Sequence, residues 1–400
     1  MTKFLLLAAG SALALGACNF ADSDDKQSTE VASAEPSNGL QTGWQADPMA
    51  SNDDISGDMA GIEGDDTPRP MMQAQVVLDR LGFTPGVVDG KMGASTKNAI
   101  TGFQTANSLT VTGELDEATR QALAEWSKIP ATRVVTIPTD FAAGEYTKLP
   151  EEPTDKAKLD SLGYESLDEK LAERFHTTVA VLRELNPGGV PAGMQTEGAN
   201  ATNDAKTPTS NSSQQSDANS SFFRAGQKMR VPNIGGDKID PAQVADASWR
   251  DTLKMLGVGS DQPKATKVVV DKSDGTLLAY NDSGKLIAAF TATMGSTHDP
   301  LPLGNWGITG VAKNPPFNYN PDLFWDAKPT DKEAKLPPGP NGPVGVVWID
   351  LTKEHYGIHG TPQPESIGRA ESHGCVRLTN WDAARLAQMV STSTKVVFQA

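Results

Sequence analysis

Residues 355–377 read HYGIHGTPQPESIGRAESHGCVR, and three of the chain's five histidines fall there beside Cys375. Three chemistries fit such a set. A thiol attacks a carbonyl carbon as its thiolate, and with an ordinary pKa of about 8.5 it needs a neighbouring base. His359 could be that base if it sits on a strand or turn that reaches Cys375 across a sheet. Ser372-His373-Gly374-Cys375 would then be a tight loop whose successive backbone N–H groups point at the oxyanion of the attacked carbonyl. Alternatively, His355, His359, His373 and Cys375 are all zinc-donor types. An i,i+4 histidine pair converges only on a helix, however, and Gly357, Gly360 and Pro362 oppose one. On a strand the two rings would stand roughly 13 Å apart. The third reading is a structural cysteine among hydrogen-bonded histidines, which leaves the clustering without a cause.

The elements that must position these groups begin at Ala265. Runs 266–271, 277–280, 286–293, 304–309 and 344–351 are β-rich and are separated by Asp-Gly, Asp-Ser-Gly and Pro-Gly turn signals. A single helix is expected over 381–390, capped by Thr379 or Asn380, with a last strand over 394–398. Residues 265–400 therefore read as a mainly-β sheet or sandwich with a helix or two, large enough for a core of its own. On that reading the segment alone should keep its chemistry. The stretch 313–343 is long and Pro-rich.

Upstream, residues 71–126 show helical spacing in Val76, Val77, Leu81 and again in Ala99, Ile100, Phe103, with a third short helix capped by Asp116. Residues 127–158 read as a linker. Residues 159–235 form a second unit with helical patches around Leu167–Phe175 and Val179–Leu185, stopped by Asn186-Pro187-Gly188-Gly189. His176 there reads as a surface or packing residue. The polar run 190–221 is an expected disordered insertion, and 236–264 a second linker.

The N-terminal segment 1–18, MTKFLLLAAGSALALGAC, has a weakly basic start and an apolar stretch over 4–17, too short to span a bilayer. It ends in Leu-Gly-Ala-Cys18. Residues 19–70 hold twelve acids against two bases and no apolar periodicity, an acidic disordered tether. The formal net charge of −15 argues against nucleic acid as a partner. With only two cysteines in the chain, a modified Cys18 would leave Cys375 as a lone thiol.

Four resemblances follow from these motifs. Leu15-Gly16-Ala17-Cys18 resembles a bacterial lipobox, which implies lipidation of Cys18 and a membrane partner through the lipid anchor. Asn19 in place of Asp points to the outer membrane, with the chain facing the periplasm of the cell envelope. The pattern LGF-x3-VVDGKMG-x2-T-x2-AI-x2-FQ-x4-L-x-VTGELDEAT is similar to the peptidoglycan-binding type 1 domain, a small three-helix unit. LAERFHTTVAVLRELNPG followed by FRAGQKMRVPNI resembles a degenerate LysM module, an α+β glycan-binding unit. Its opening strand is poorly matched by residues 163–167. Finally, His359-Gly360-Thr361 followed by Ser372-His373-Gly374-Cys375-Val376-Arg377-Leu378 resembles the YkuD-type L,D-transpeptidase signature.

That last resemblance implies roles. Cys375 would be the nucleophile and His359 the proton acceptor and donor, with the Gly360 carbonyl orienting it. The His373, Gly374 and Cys375 amides would form the oxyanion hole, and Ser372 and Arg377 would contact substrate. No metal or other cofactor is implied. The expected partners are peptidoglycan stem peptides and glycan. The reaction would be cleavage of the L,D bond of a stem tetrapeptide with release of D-alanine and transfer of the acyl group to an amine. The alternatives are an L,D-carboxypeptidase using water and a noncatalytic wall-binding lipoprotein.

Overall fold

The computed structural model describes residues 67–194, 221–236, 238–370 and 372–400. The expected lipobox with Cys18, the acidic tether up to residue 66 and the body of the polar insertion, 195–220, lie outside the described residues.

Three helices, α1 (Pro70–Arg80), α2 (Ala94–Ala106) and α3 (Glu117–Leu123), form the first unit. Its two glycine-bearing turns are held by buried glutamines. Gln75 Oε1 accepts from Asp89 N and Gly90 N, and Gln104 Oε1 accepts from Thr112 N and Gly113 N. Asp116 caps α3 by accepting from Thr119 N at 2.8 Å, which satisfies one of the helix's orphan donors.

The next unit corrects the expected boundaries. Strand β1 (Thr132–Thr136) lies inside the segment read as a linker, and it pairs antiparallel with β2 (Lys228–Pro232). Between them come two short helical turns, α4 (Thr139–Ala142) and α5 (Pro153–Lys156), then α6 (Leu167–Arg174) and α7 (Val179–Leu185). Val135, Leu171, Phe175, Leu182, Met229 and Val231 share its core. The opening strand is thus supplied by Thr-Arg-Val-Val-Thr, a β-branched run hidden among prolines, and not by residues 163–167.

The second expected linker is also structural. Helix α8 (Ala247–Leu256) buries Trp249, Leu253 and Leu256 in the same core as the strands that follow. Those strands are β3 (Lys267–Asp271), β4 (Thr276–Tyr280), β5 (Leu286–Thr291), β6 (Thr293–Met294), β7 (Gly304–Lys313), β8 (Phe317–Tyr319), β9 (Ala334–Leu336), β10 (Val347–Leu351), β11 (Gly357–His359), β12 (Val376–Arg377) and β13 (Lys395–Gln399). Nine of them form one sheet in the order β5-β4-β3-β13-β7-β10-β11-β12-β6, and β8 and β9 form a separate ribbon. Only Ala292 separates β5 from β6, so the two ends of the strand order are one stretch of chain and the sheet is closed covalently. Helix α9 (Asn380–Met389) packs on β10 and β11, with Thr379 Oγ1 as its cap, accepting from Asp382 N at 3.1 Å.

The units are not beads on a string. Thr84 N donates to Ala289 O at 2.9 Å and Ala289 N to Gly82 O at 3.1 Å, which docks the first unit on β5. His176 is fully buried and stacks on Trp381 with ring centroids 4.9 Å apart. Its Nδ1 lies 3.1 Å from Asp79 Oδ1 and its Nε2 lies 2.8 Å from Leu256 O. It is a packing residue at the junction of three units.

Candidate active site

Strands β11 and β12 run parallel, with Ile358 opposite Val376 and His359 opposite Arg377. Cys375 immediately precedes β12. Side chains alternate along a strand, so Cys375 shares a face with Arg377, the register partner of His359. The parallel pairing thus gathers the three groups from two short segments.

His359 is buried, with its ring stacked on Trp348 at 5.5 Å. Its Nδ1 lies 2.7 Å from Gly360 O. A carbonyl only accepts, so the neutral ring carries its proton on Nδ1 and a lone pair on Nε2. Burial, together with the Arg377 guanidinium, brings the imidazole pKa down to about 4, against the pull of the Gly360 carbonyl. The ring is therefore an unprotonated base at neutral pH.

Cys375 is half-buried, and its Sγ lies 3.8 Å from His355 O. Burial pushes its thiol pKa up; the Gly357 amide and Arg377 pull the other way, and Asp299 reinforces the rise. The resting pair is a neutral thiol and a neutral imidazole. His355 itself contributes a carbonyl; its ring is exposed, 3.6 Å from Glu354.

The loop before Cys375 is shaped by two residues. Gly374 has φ +92°, and a Cβ there would meet Tyr356 Cε1 at 2.6 Å, so both backbone and space call for glycine. Ser372, expected to contact substrate, is buried, and its hydroxyl is engaged within the loop. It donates to Cys375 O at 2.6 Å and accepts from Gly295 N at 2.6 Å. It braces the turn. His373 faces the 313–343 segment. Its Nε2 lies 2.8 Å from Asp326 Oδ1, and its ring packs against Phe324 and Trp325. Trp325 also stacks on His298 at 4.4 Å and stays 57% exposed, so this segment forms one wall of the mouth.

Three buried polar atoms around Cys375 have no partner among the described residues: Arg377 Nε, Asp299 Oδ2 and His373 Nδ1. Arg377 was named from the sequence. Asp299 and Tyr356 were not, although each is electrostatically coupled to Cys375. The sequence offered one cue for Asp299, its place before Pro300 in the turn 299–304, and none for the ring of Tyr356. Gly360 is also boxed in, since a Cβ there would collide with Asn380 Oδ1.

The family model described as "L,D-transpeptidase catalytic domain" matches residues 265–398, and that described as "Putative peptidoglycan binding domain" matches residues 69–123. The chain is 52% identical over 59 residues to "Putative L,D-transpeptidase YkuD" of Bacillus licheniformis, covering 15% of this chain and 36% of that protein. It is 28% identical over 182 residues to "Putative L,D-transpeptidase in ATP synthase subunits region ORF 5" of Fuscovulum blasticum, covering 43% of this chain and 89% of that protein. Among solved structures, "L,D-transpeptidase from Mycobacterium smegmatis" matches at 25% identity and TM-score 0.28, over 34% of this chain and 59% of that one. The chain thus spans about a third of the first relative's length. Residues 265–398 are a YkuD-type L,D-transpeptidase catalytic domain, carried on the same chain as a peptidoglycan-binding type 1 domain.

Proposed function

We propose that this protein is a peptidoglycan L,D-transpeptidase of the bacterial cell envelope, held to a membrane through Cys18. The observation that carries this reading is the tautomer of His359: with Nδ1 tied to Gly360 O, its Nε2 lone pair is available on the strand beside Cys375. Cys375 Sγ attacks the carbonyl carbon of the third stem residue as its proton passes to His359 Nε2. The Gly374 and Cys375 amides, with that of His373, stabilise the tetrahedral oxyanion. Collapse breaks the C–N bond, and His359 returns the proton to the departing amine of D-alanine, leaving a thioester on Cys375. An acceptor amine then attacks the thioester, losing a proton to His359, and the thiol re-forms.

The charges of Asp299 and Arg377 near Cys375 support an amine as acceptor. Asp299 and Arg377 both act electrostatically on Cys375, and such a pair of opposite charges suits an acceptor that carries an ammonium and a carboxylate. The upstream units hold the enzyme on its insoluble polymer, which acts through effective concentration. Incubation with purified sacculi, followed by mass spectrometry of released muropeptides, tests the proposal. Wild type should yield D-alanine and 3→3 cross-linked dimers, and Cys375→Ser neither. Tripeptide without dimers would assign an L,D-carboxypeptidase instead.

A further inference from the structure

We propose that Glu173, on α6 of the strand–helix–helix–strand unit, is a positioning residue for His359 and acts through Asn380 at the start of α9. This rests on the reading of His359 as the base, and it makes the docked upstream unit part of the apparatus that aims the base.

The chain of contacts is short. Glu173 and Asn380 are both buried, and Asn380 Nδ2 donates to Glu173 Oε1 at 2.8 Å and to Pro340 O at 3.0 Å. With both amide protons used there, Asn380 Oδ1 must face the other way. It accepts from Val346 N at 3.3 Å and lies against the Cα hydrogens of Gly345 and Gly360, where no Cβ would fit. Gly360 O is the acceptor that holds His359 Nδ1 at 2.7 Å. Asn380 therefore touches the backbone of the residue that orients the base, and Glu173 fixes which way the Asn380 amide points. Without an acceptor at Glu173 the amide keeps only Pro340 O and Val346 N to hold it, and one of its N–H groups is left buried and unpaired, which loosens its contact with Gly360.

The same unit grips this region at a second point. Leu162 N donates to Pro338 O at 2.9 Å, and Asn341 Nδ2 donates to Gly163 O at 3.0 Å and Glu169 Oε1 at 2.8 Å. The segment Pro338–Asn341 leads directly into Gly345 and Val346. A buried carboxyl is costly unless its oxygens are used, and packing alone would be served by an apolar residue. The groups facing Glu173 are Tyr164, whose hydroxyl donates to its other oxygen, Glu169 on the same helix, and Asn380 from the catalytic domain. Burial brings the Glu173 carboxyl up to about 7.

The test uses the full chain with two readouts: D-alanine release from a stem tetrapeptide, and the pH profile of Cys375 alkylation by iodoacetamide. Glu173→Leu keeps volume and loses the acceptor. It should lower kcat by about 10- to 100-fold with KM within about two-fold, since misplacement of a catalytic group costs this much. It should also shift the alkylation profile. Glu173→Gln still offers an oxygen to Asn380 and a donor to Tyr164, and should restore both. Asn380→Asp sets two carboxyls against each other, so its defect relative to wild type should shrink as pH falls and a shared proton relieves the clash. If Glu173→Leu does not fold, the Gln and Asp variants decide. Wild-type kcat and an unshifted profile in a folded Glu173→Leu, or no pH dependence in the Asn380→Asp defect, would overturn the inference. If wild type releases no D-alanine while the alkylation profiles still differ, the functional proposal fails and the positioning role stands.

Discussion

Arg385 and Asp79 stand 306 positions apart in the chain, yet the Arg385 guanidinium grips both Asp79 carboxylate oxygens at 2.7 and 3.2 Å with neither side chain meaningfully exposed. Burial alone would push the Asp79 carboxyl up, but Arg385 and His176 outweigh it and hold it at about 2. The first helical unit is thereby locked to α9.

Removing one partner of this pair leaves the other charge buried. Asp79→Ala or Arg385→Ala should each destabilise the folded chain by about 3–5 kcal/mol. Chemical denaturation followed by tryptophan fluorescence measures this; a loss under about 1 kcal/mol would mean that water reaches the orphaned charge.

The same interlock revises the expectation that residues 265–400 suffice for chemistry. That fragment lacks Trp249, Leu253 and Leu256 of its own core and exposes the β5 edge that Thr84 and Gly82 occupy. It should show no cooperative melting transition and no release of D-alanine from a stem tetrapeptide. Release at the full-length rate would show that the cross-unit contacts are dispensable.

The site should have an unusual pH signature. His359 titrates at about 4, below its ordinary value, so its base form persists well into acid. The stability contributed by the neutral ring is present above about 6.5 and is lost as pH falls toward 4. Arg377 lowers both His359 and Cys375, so Arg377→Leu should raise both pKa values. Histidine NMR titration and the pH profile of thiol alkylation read the two shifts; a fall in either would contradict the assigned geometry.

Gly374→Ala combines a disfavoured φ with a clash against Tyr356. Acylation should fall by about 100-fold or more while the melting temperature changes little, because the strain sits in the loop that carries the oxyanion donors. Pairing it with Tyr356→Ala removes the clash but not the backbone strain, and should recover only part of the rate. Full recovery would mean that space alone matters.

Asp326→Ala should release the 313–343 wall from His373. The expected result is a KM several-fold higher, with thiol alkylation unchanged. A matched fall in kcat would place Asp326 closer to the reacting atoms.

What the sequence made legible is what is local. Cys375, His359 and Gly360 lie within seventeen residues, and the two short strands that carry them, β11 and β12, pair with each other. The cap at Asp116 and the stop at Asn186-Pro187 are likewise short-range. What stayed hidden depends on distance. β1 finds β2 across almost a hundred residues, and nothing in Thr132–Thr136 names its partner. Glu173, Asp79 and Arg385 look like ordinary helix-surface charges until three units close around them. Ser372 sits in the motif and so reads as a substrate contact, and its two hydrogen bonds within the turn are not legible from the motif.

β13 comes latest in sequence among the sheet's strands, yet it lies at the centre, between β3 and β7. As the chain is delivered from its N-terminal side, β3 to β5 and β7 to β12 emerge as two partial sheets joined only through the covalent passage from β5 to β6. Neither half can complete its ladder until β13 arrives. The nucleophile loop and the base both precede in sequence the strand that unites the sheet, so the thiol site depends on a long-range strand pairing, of the kind that topology makes slow.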